Sequence, residues 1–137
     1  MVLADTGFFY ALADRNDAYF ESAKILYQKY SKQLTTTWPV ITETCHLLLS
    51  RLGPIQQEKF IQGIGEVKIF SMGKDNLPRI KNLMKKYRNL PMDLADATLV
   101  IIAEEKNIPD ILSVDFRNFG TYRWKERKPF NNLITQI

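Results

Sequence analysis

Two short apolar runs in this chain each close on an aspartate, and a third aspartate lies inside a longer apolar segment. Met1-Val2-Leu3-Ala4 ends at Asp5, and Ile111-Leu112-Ser113-Val114 ends at Asp115. Between Met92 and Ala103 the only polar side chains are Asp93, Asp96 and Thr98. Short apolar runs bounded by turn signals predict buried strands of a parallel sheet. In open α/β sheets the ligand crevice lies at the carboxyl ends of the strands, so two such runs can aim two carboxylates at one spot. A helix that is apolar on nearly every face is buried, and a buried carboxylate there needs a cation or takes up a proton. Carboxylates converging in a partly dry crevice make a site for a hard divalent cation.

The 137 residues are long enough for one domain with a sizeable core. With 45% hydrophobic and 25% charged residues, the composition predicts an ordinary soluble globular protein. No segment approaches the ~20 apolar residues of a membrane span. Asp5 arrives too early for a secretory signal peptide. The lone Cys45 allows no intrachain disulfide and suits a reducing cytoplasm. A net charge of +4 and a pI near 9.2 favour a polyanionic partner. An acidic pocket inside a basic protein suits a metal enzyme acting on phosphodiesters.

The pattern along the chain alternates strands with helices, as expected for a parallel sheet covered on both faces. After the first strand, Asp5-Thr6-Gly7 turns into the apolar stretch Phe8 to Ala13, and Asn16 or Asp17 can cap a helix over 18–30. Leu34 to Thr37 reads as a β-branched strand. Trp38-Pro39 starts a helix that Gly53-Pro54 ends, with an apolar stripe of Ile41, Cys45, Leu48, Leu49 and Leu52. Helices follow over 55–64 and 77–87, separated by a strand at 67–70. Pro91 is expected to open the apolar helix that runs to about Lys106. Ile111 to Val114 is the next strand, and Phe130 to Ile134 a last edge strand.

Each candidate residue also has a plain structural explanation. Asp5 could be a turn or cap residue, and Asp-Thr-Gly also occurs in aspartic proteases, which require an all-β chain. Asp93 suits the first turn of a helix, where the dipole favours acid. It also shares a face with Asp96, three residues on, and Asp96 lies deep among apolar neighbours. Helical geometry puts Glu43 opposite the Ile41/Cys45/Leu48 stripe, hence toward solvent, although Val40 and Leu47 make that face less polar. His46, the only histidine, reads as a helix-surface residue and Cys45 as core. Arg117 to Lys128 interleaves Arg117, Arg123, Lys125, Arg127 and Lys128 with Phe119, Tyr122 and Trp124. That is either a solvated loop or a single-strand-binding pattern.

Taken in order, these segments resemble a PIN domain, in particular the VapC-type toxin ribonucleases. The parts are Asp5-Thr6-Gly7, Asn16-Asp17 before Glu21-Ser22-Ala23, Thr42-Glu43, Pro91 to Ala97, and Ser113-Val114-Asp115 followed by Arg117-Asn118-Phe119. The resemblance implies a three-layer α/β/α fold with a central, mostly parallel sheet of four or five strands. It also implies an acidic quartet of Asp5, Glu43, Asp96 and Asp115, supported by Thr6, and so moves Glu43 from solvent to the site. The implied activity is an endoribonuclease using one or two Mg²⁺ or Mn²⁺ ions, with Arg117, Arg123, Lys125 and Arg127 on the RNA. The implied partners are a second copy of the chain and an inhibiting antitoxin. Two positions depart from many relatives: Phe20, where they have His, and Ser113, where they have Thr. Neither is expected to touch a metal ligand. A silent RNA-binding module remains an alternative, as does a phosphohydrolase or receiver-like domain. The latter would show a second Asp beside the first or a strand-terminal Lys.

Overall fold

Three consecutive residues with no solvent face must lie in the middle of a sheet, and that is where β1 (Val2–Ala4) sits. The computed structural model describes residues 1–136. The other strands are β2 (Leu34–Thr37), β3 (Lys68–Phe70), β4 (Asp110–Leu112), β5 (Arg123–Trp124), β6 (Lys128–Pro129) and β7 (Asn131–Asn132). The helices are α1 (Thr6–Ala13), α2 (Phe20–Tyr30), α3 (Trp38–Arg51), α4 (Pro54–Gly63), α5 (Leu77–Lys86), α6 (Leu94–Lys106) and α7 (Phe116–Thr121). The main sheet has the order β3-β2-β1-β4-β7 with every pairing parallel, and helices flank it. This is the α/β/α architecture expected from the alternation. β5 and β6 form a separate antiparallel hairpin.

The chain builds outward from β1 through β2 to β3, then returns to place β4 on the other side of β1. The direction of winding therefore reverses between β1 and β4, which opens a crevice at their carboxyl ends. Asp5 and Asp115 stand at that crevice.

α6 is buried from Ala97 through Ala103 and packs against β2, α3 and α5. Its interior leaves one polar link, between the Thr98 and Thr37 hydroxyls at 2.7 Å. Pro91 does not open this helix. Asp93 is the N-cap, its Oδ1 accepting the Asp96 N–H at 2.8 Å, and Pro91 lies outside in the preceding turn. A capping carboxylate at 93 satisfies an orphan amide that proline at 91 cannot reach. Likewise Tyr19, not Asn16 or Asp17, is the N-cap of α2. Asp17 instead makes a local turn by accepting the Tyr19 N–H at 2.8 Å.

The stripe expected on α3 is displaced. Val40, Ile41, Thr44 and Leu48 are buried, whereas Leu49 and Leu52 are 47% and 37% exposed. Thr44 behaves as a core residue because its hydroxyl donates to the Val40 carbonyl at 2.8 Å. Thr44 joins the buried side of α3, and its neighbour Glu43 is half-buried rather than in open solvent.

The expected edge strand over 130–134 shrinks to β7, followed by a 3₁₀ turn over Leu133–Gln136. The Asn132 side chain clamps the end of β4: its Oδ1 accepts the Ser113 N–H and its Nδ2 donates to the Ser113 carbonyl.

Gly7 marks the closest approach between the two halves of the crevice. A Cβ placed there would lie 2.8 Å from Val114 Cγ2, a branched and stiff neighbour. Gly7→Ala should therefore push apart the chain segments that follow β1 and β4. Overpacking costs about 1–3 kcal/mol and alanine's helix propensity returns up to about 1. The expected result is a melting temperature lower by roughly 3–8 °C. An unchanged melting curve would mean that Val114 yields without cost.

Candidate active site

Asp5 is 3% exposed and both of its oxygens are occupied. As the N-cap of α1 its Oδ1 accepts the Phe8 N–H at 2.9 Å, and its Oδ2 accepts the Ser113 hydroxyl at 2.5 Å. Burial pushes its pKa up to about 7; those two bonds oppose the shift, and Asp115 and Glu43 add to it. Ser113 Oγ also accepts the Asp115 N–H at 3.0 Å, so one hydroxyl ties the two strand-terminal acids together. Ser113 thus touches a proposed ligand directly, contrary to the expectation that this departure leaves the ligand set alone. Phe20, the other departure, lines a separate cavity with Phe9, Tyr27 and Phe60.

Asp96 Oδ2 accepts the hydroxyl of the buried Tyr122 at 2.9 Å. Burial raises its pKa to about 8, with Asp93, Asp5 and Asp115 contributing and Tyr122 opposing. Burial, then Asp96 itself, with Asp93 and Asp115 behind it, raises the Tyr122 hydroxyl well above its ordinary range. Asp115 caps α7 by accepting the Asn118 N–H at 3.1 Å. Glu43 is half-buried, and burial followed by the Asp93 carboxylate raises its pKa, while Thr6 holds it down. Thr6 Oγ1 is buried and has no hydrogen-bond partner among the described residues. Its effect on Glu43 therefore acts across a longer, electrostatic contact.

Asp5, Glu43, Asp93, Asp96 and Asp115 line one crevice of about 290 Å³, together with Asp17, Thr6 and Asn118. Asp93 thus both caps α6 and faces the crevice. A larger cavity of about 580 Å³ lies elsewhere and is mostly apolar. The titratable chemistry belongs to the smaller one. The carboxylates line its walls without forming a finished cage. Among the described residues, no three His, Cys, Asp or Glu side chains are close enough to hold a metal as they stand. The donor set still fits a hard divalent cation: it is all oxygen, its members raise one another's pKa, and Thr6 leaves a buried hydroxyl unpartnered. A cation would have to draw the carboxylates inward.

Arg51 is the crevice residue that the sequence reading missed most clearly. Its guanidinium lies 5.1 Å from the centre of the Tyr10 ring, and both residues line the crevice. Glu43, Leu47 and Arg51 are spaced four apart on α3 and all face it, a periodicity that was available in the sequence. The basic segment is less free than its composition suggested. Arg123 spends its Nη1 on the carbonyls of Gly120, Thr121 and Tyr122. Lys125 binds the Asn107 side chain through Nζ and Glu104 through its backbone N–H. Arg117 and Arg127 are exposed, and their side chains make no hydrogen bond or ion pair among the described residues.

A profile of the PIN domain family matches residues 2–124. The chain belongs to the PIN domain family. A search of curated proteins gives no match. Among solved structures, this PIN domain is similar to Mycobacterium tuberculosis VapC20, described as a Sarcin-Ricin loop cleaving toxin. The TM-score is 0.78 at 22% identity, over 85% of this chain and 92% of that one. It is also similar to a chain of a toxin-antitoxin complex from Klebsiella pneumoniae, with a TM-score of 0.67 at 16% identity, over 88% and 92%. At these identities the likeness shows a shared fold.

Proposed function

We propose that this chain is a single PIN nuclease domain, a divalent-metal-dependent endoribonuclease acting as the toxin of a toxin–antitoxin pair. The observation that carries the reading is the convergence of Asp5, Glu43, Asp96 and Asp115 on one crevice at the winding reversal of the sheet, in a chain of net charge +4. The family assignment and the likeness to a toxin described as Sarcin-Ricin loop cleaving support RNA as the substrate class. The toxin-antitoxin complex supports a protein antitoxin as partner. A homodimer and a cytoplasmic site of action complete the proposal. No helix among the described residues is long and apolar enough to cross a membrane.

A cation held by Asp5 and Asp96, with Glu43 and Asp115 assisting directly or through water, would supply polarisation of the phosphate and a more acidic attacking water. Everything else falls to the chain itself. Ser113 and the Phe8 N–H fix the Asp5 carboxylate, and Tyr122 fixes that of Asp96. Glu43, with its raised pKa, is suited to accept a proton from the attacking water. Arg51 offers paired N–H donors to a phosphate at the crevice wall. Arg117 and Arg127 are the free cations for the RNA backbone. Arg123 and Lys125, already engaged, chiefly hold α7 and the hairpin in place.

The test is a gel assay of purified protein on labelled RNAs with Mg²⁺, Mn²⁺ or EDTA. Cleavage is expected with either ion and none with EDTA. Undiminished cleavage in EDTA would remove the metal from the mechanism. Binding without cleavage under every condition would favour a silent RNA-binding module. A receiver-like domain finds no support in the crevice, whose only lining cation is Arg51.

A further inference from the structure

Two large aromatic side chains, each close in sequence to a residue that lines the carboxylate crevice, pack against each other at the surface. Tyr19 and Phe116 meet edge to face, with ring centres 5.7 Å apart and planes at 67°. They remain 37% and 40% exposed. The pair comes from distant parts of the chain, and each member is anchored to a residue that lines the crevice. Asp17 holds the Tyr19 backbone N–H at 2.8 Å, and Phe116 directly follows Asp115. Scattered exposed apolar residues need no explanation. An edge-to-face pair that joins the two segments carrying Asp17 and Asp115 is different, because it leaves exposed ring surface next to residues that line the crevice. A bare carboxylate crevice would repel a polyanion, so the substrate must be held by contacts outside it. Cations can hold the phosphates, but only a stacking surface holds a base without regard to its hydrogen-bonding edge.

We infer that Tyr19 and Phe116 form a stacking platform for an unpaired nucleobase of single-stranded RNA, placing the adjoining phosphodiester over the carboxylates. This rests on the nuclease reading and adds to it the form of RNA recognised: a base splayed out of a single strand. The platform is built from two segments, so both rings are needed for its geometry. The bland role for the pair is as a staple between the segment before α2 and the start of α7. The two roles differ in whether the effect depends on the base.

The experiment measures RNA affinity in an Asp5→Asn background, which keeps the oligoribonucleotide intact, and KM and kcat in the active enzyme. Tyr19→Ala and Phe116→Ala should each raise Kd and KM roughly 5- to 100-fold, the range of base–aromatic stacking, with kcat changed much less. Tyr19→Phe and Phe116→Trp should restore wild-type values. Oligomers with one abasic nucleotide at each position in turn should show a position next to the cut where wild type loses the same factor. There the alanine variants should lose nothing further. Equal loss by the alanine variants on ordinary and abasic RNA would assign the pair to stapling and overturn the proposal. So would unchanged affinity in both variants, the result expected if the pair meets a protein partner. If wild type neither binds nor cleaves RNA, the nuclease reading itself falls and takes the platform with it. If wild type cleaves and the alanine variants match it, only the platform falls.

Discussion

Asp5→Asn is expected to lower RNA cleavage by roughly a thousandfold or more while leaving the fold and RNA affinity largely intact. The substitution preserves size, and the asparagine oxygen can still accept the Phe8 N–H. Ser113 Oγ can turn from donor to acceptor toward the new amide. What disappears is one negative charge at the centre of the crevice, where both cation binding and electrostatic stabilisation depend on it. Arg51, Arg117 and Arg127 remain to hold the RNA, with an affinity that falls as salt rises. The check is cleavage rate beside RNA affinity in the same preparation. Cleavage at the wild-type rate would assign the activity to a contaminant and sink the nuclease reading.

The second large effect is on stability, and its direction follows from the raised carboxyl groups. Asp5 and Asp96 have pKa values of about 7 and about 8 in the folded chain, against values near ~4 for an unfolded aspartate. Between those limits the folded state holds more protons than the unfolded one. Their contribution to stability is therefore fully present below about pH 4, declines from there, and is gone once the pH has passed 7 to 8. Asp96→Asn removes one of these groups while its oxygen can still accept the Tyr122 hydroxyl. After discounting for the partial exposure of Asp96, the variant should be more stable than wild type by roughly 1–3 kcal/mol at pH 8, or about 3–10 °C in melting temperature. The two should melt together near pH 4. Millimolar Mg²⁺ or Mn²⁺ should raise the wild-type melting temperature at pH 8 through linkage and raise that of Asp96→Asn much less. Identical wild-type and variant curves from pH 4 to 8, with and without Mn²⁺, would remove the physical support for a cation site.

Much of this site could be read from residue order, and the failures have local causes. Asp5 and Asp115 were legible because a charge that ends a buried run is costly, and Asp96 because its helix has no polar face. Glu43 was not, because the α3 stripe was drawn through Leu49 and Leu52, which face out, and missed Thr44, which faces in. A threonine that satisfies its own hydroxyl on the preceding turn packs like valine, and no periodicity count records that. Asp93 was offered as either a cap or a site residue, whereas a carboxylate has two oxygens and can serve both. The hydrogen bonds of Ser113 and Tyr122 join residues far apart in sequence, so only the fold reveals them. For the sheet, order and direction followed from the alternation of elements. The shortness of β7 did not, because the Asn132 side chain takes over pairing that a longer strand would supply.

That asparagine clamp makes a late segment of the chain part of the support for residues that begin it. Asp5 is near the start of the sequence, and the strand end that carries Ser113 and Asp115 is held both by its pairing with β1 and by Asn132, far along the chain. A chain cut short before Asn132 would carry every acid of the crevice but lack the side-chain clamp on Ser113.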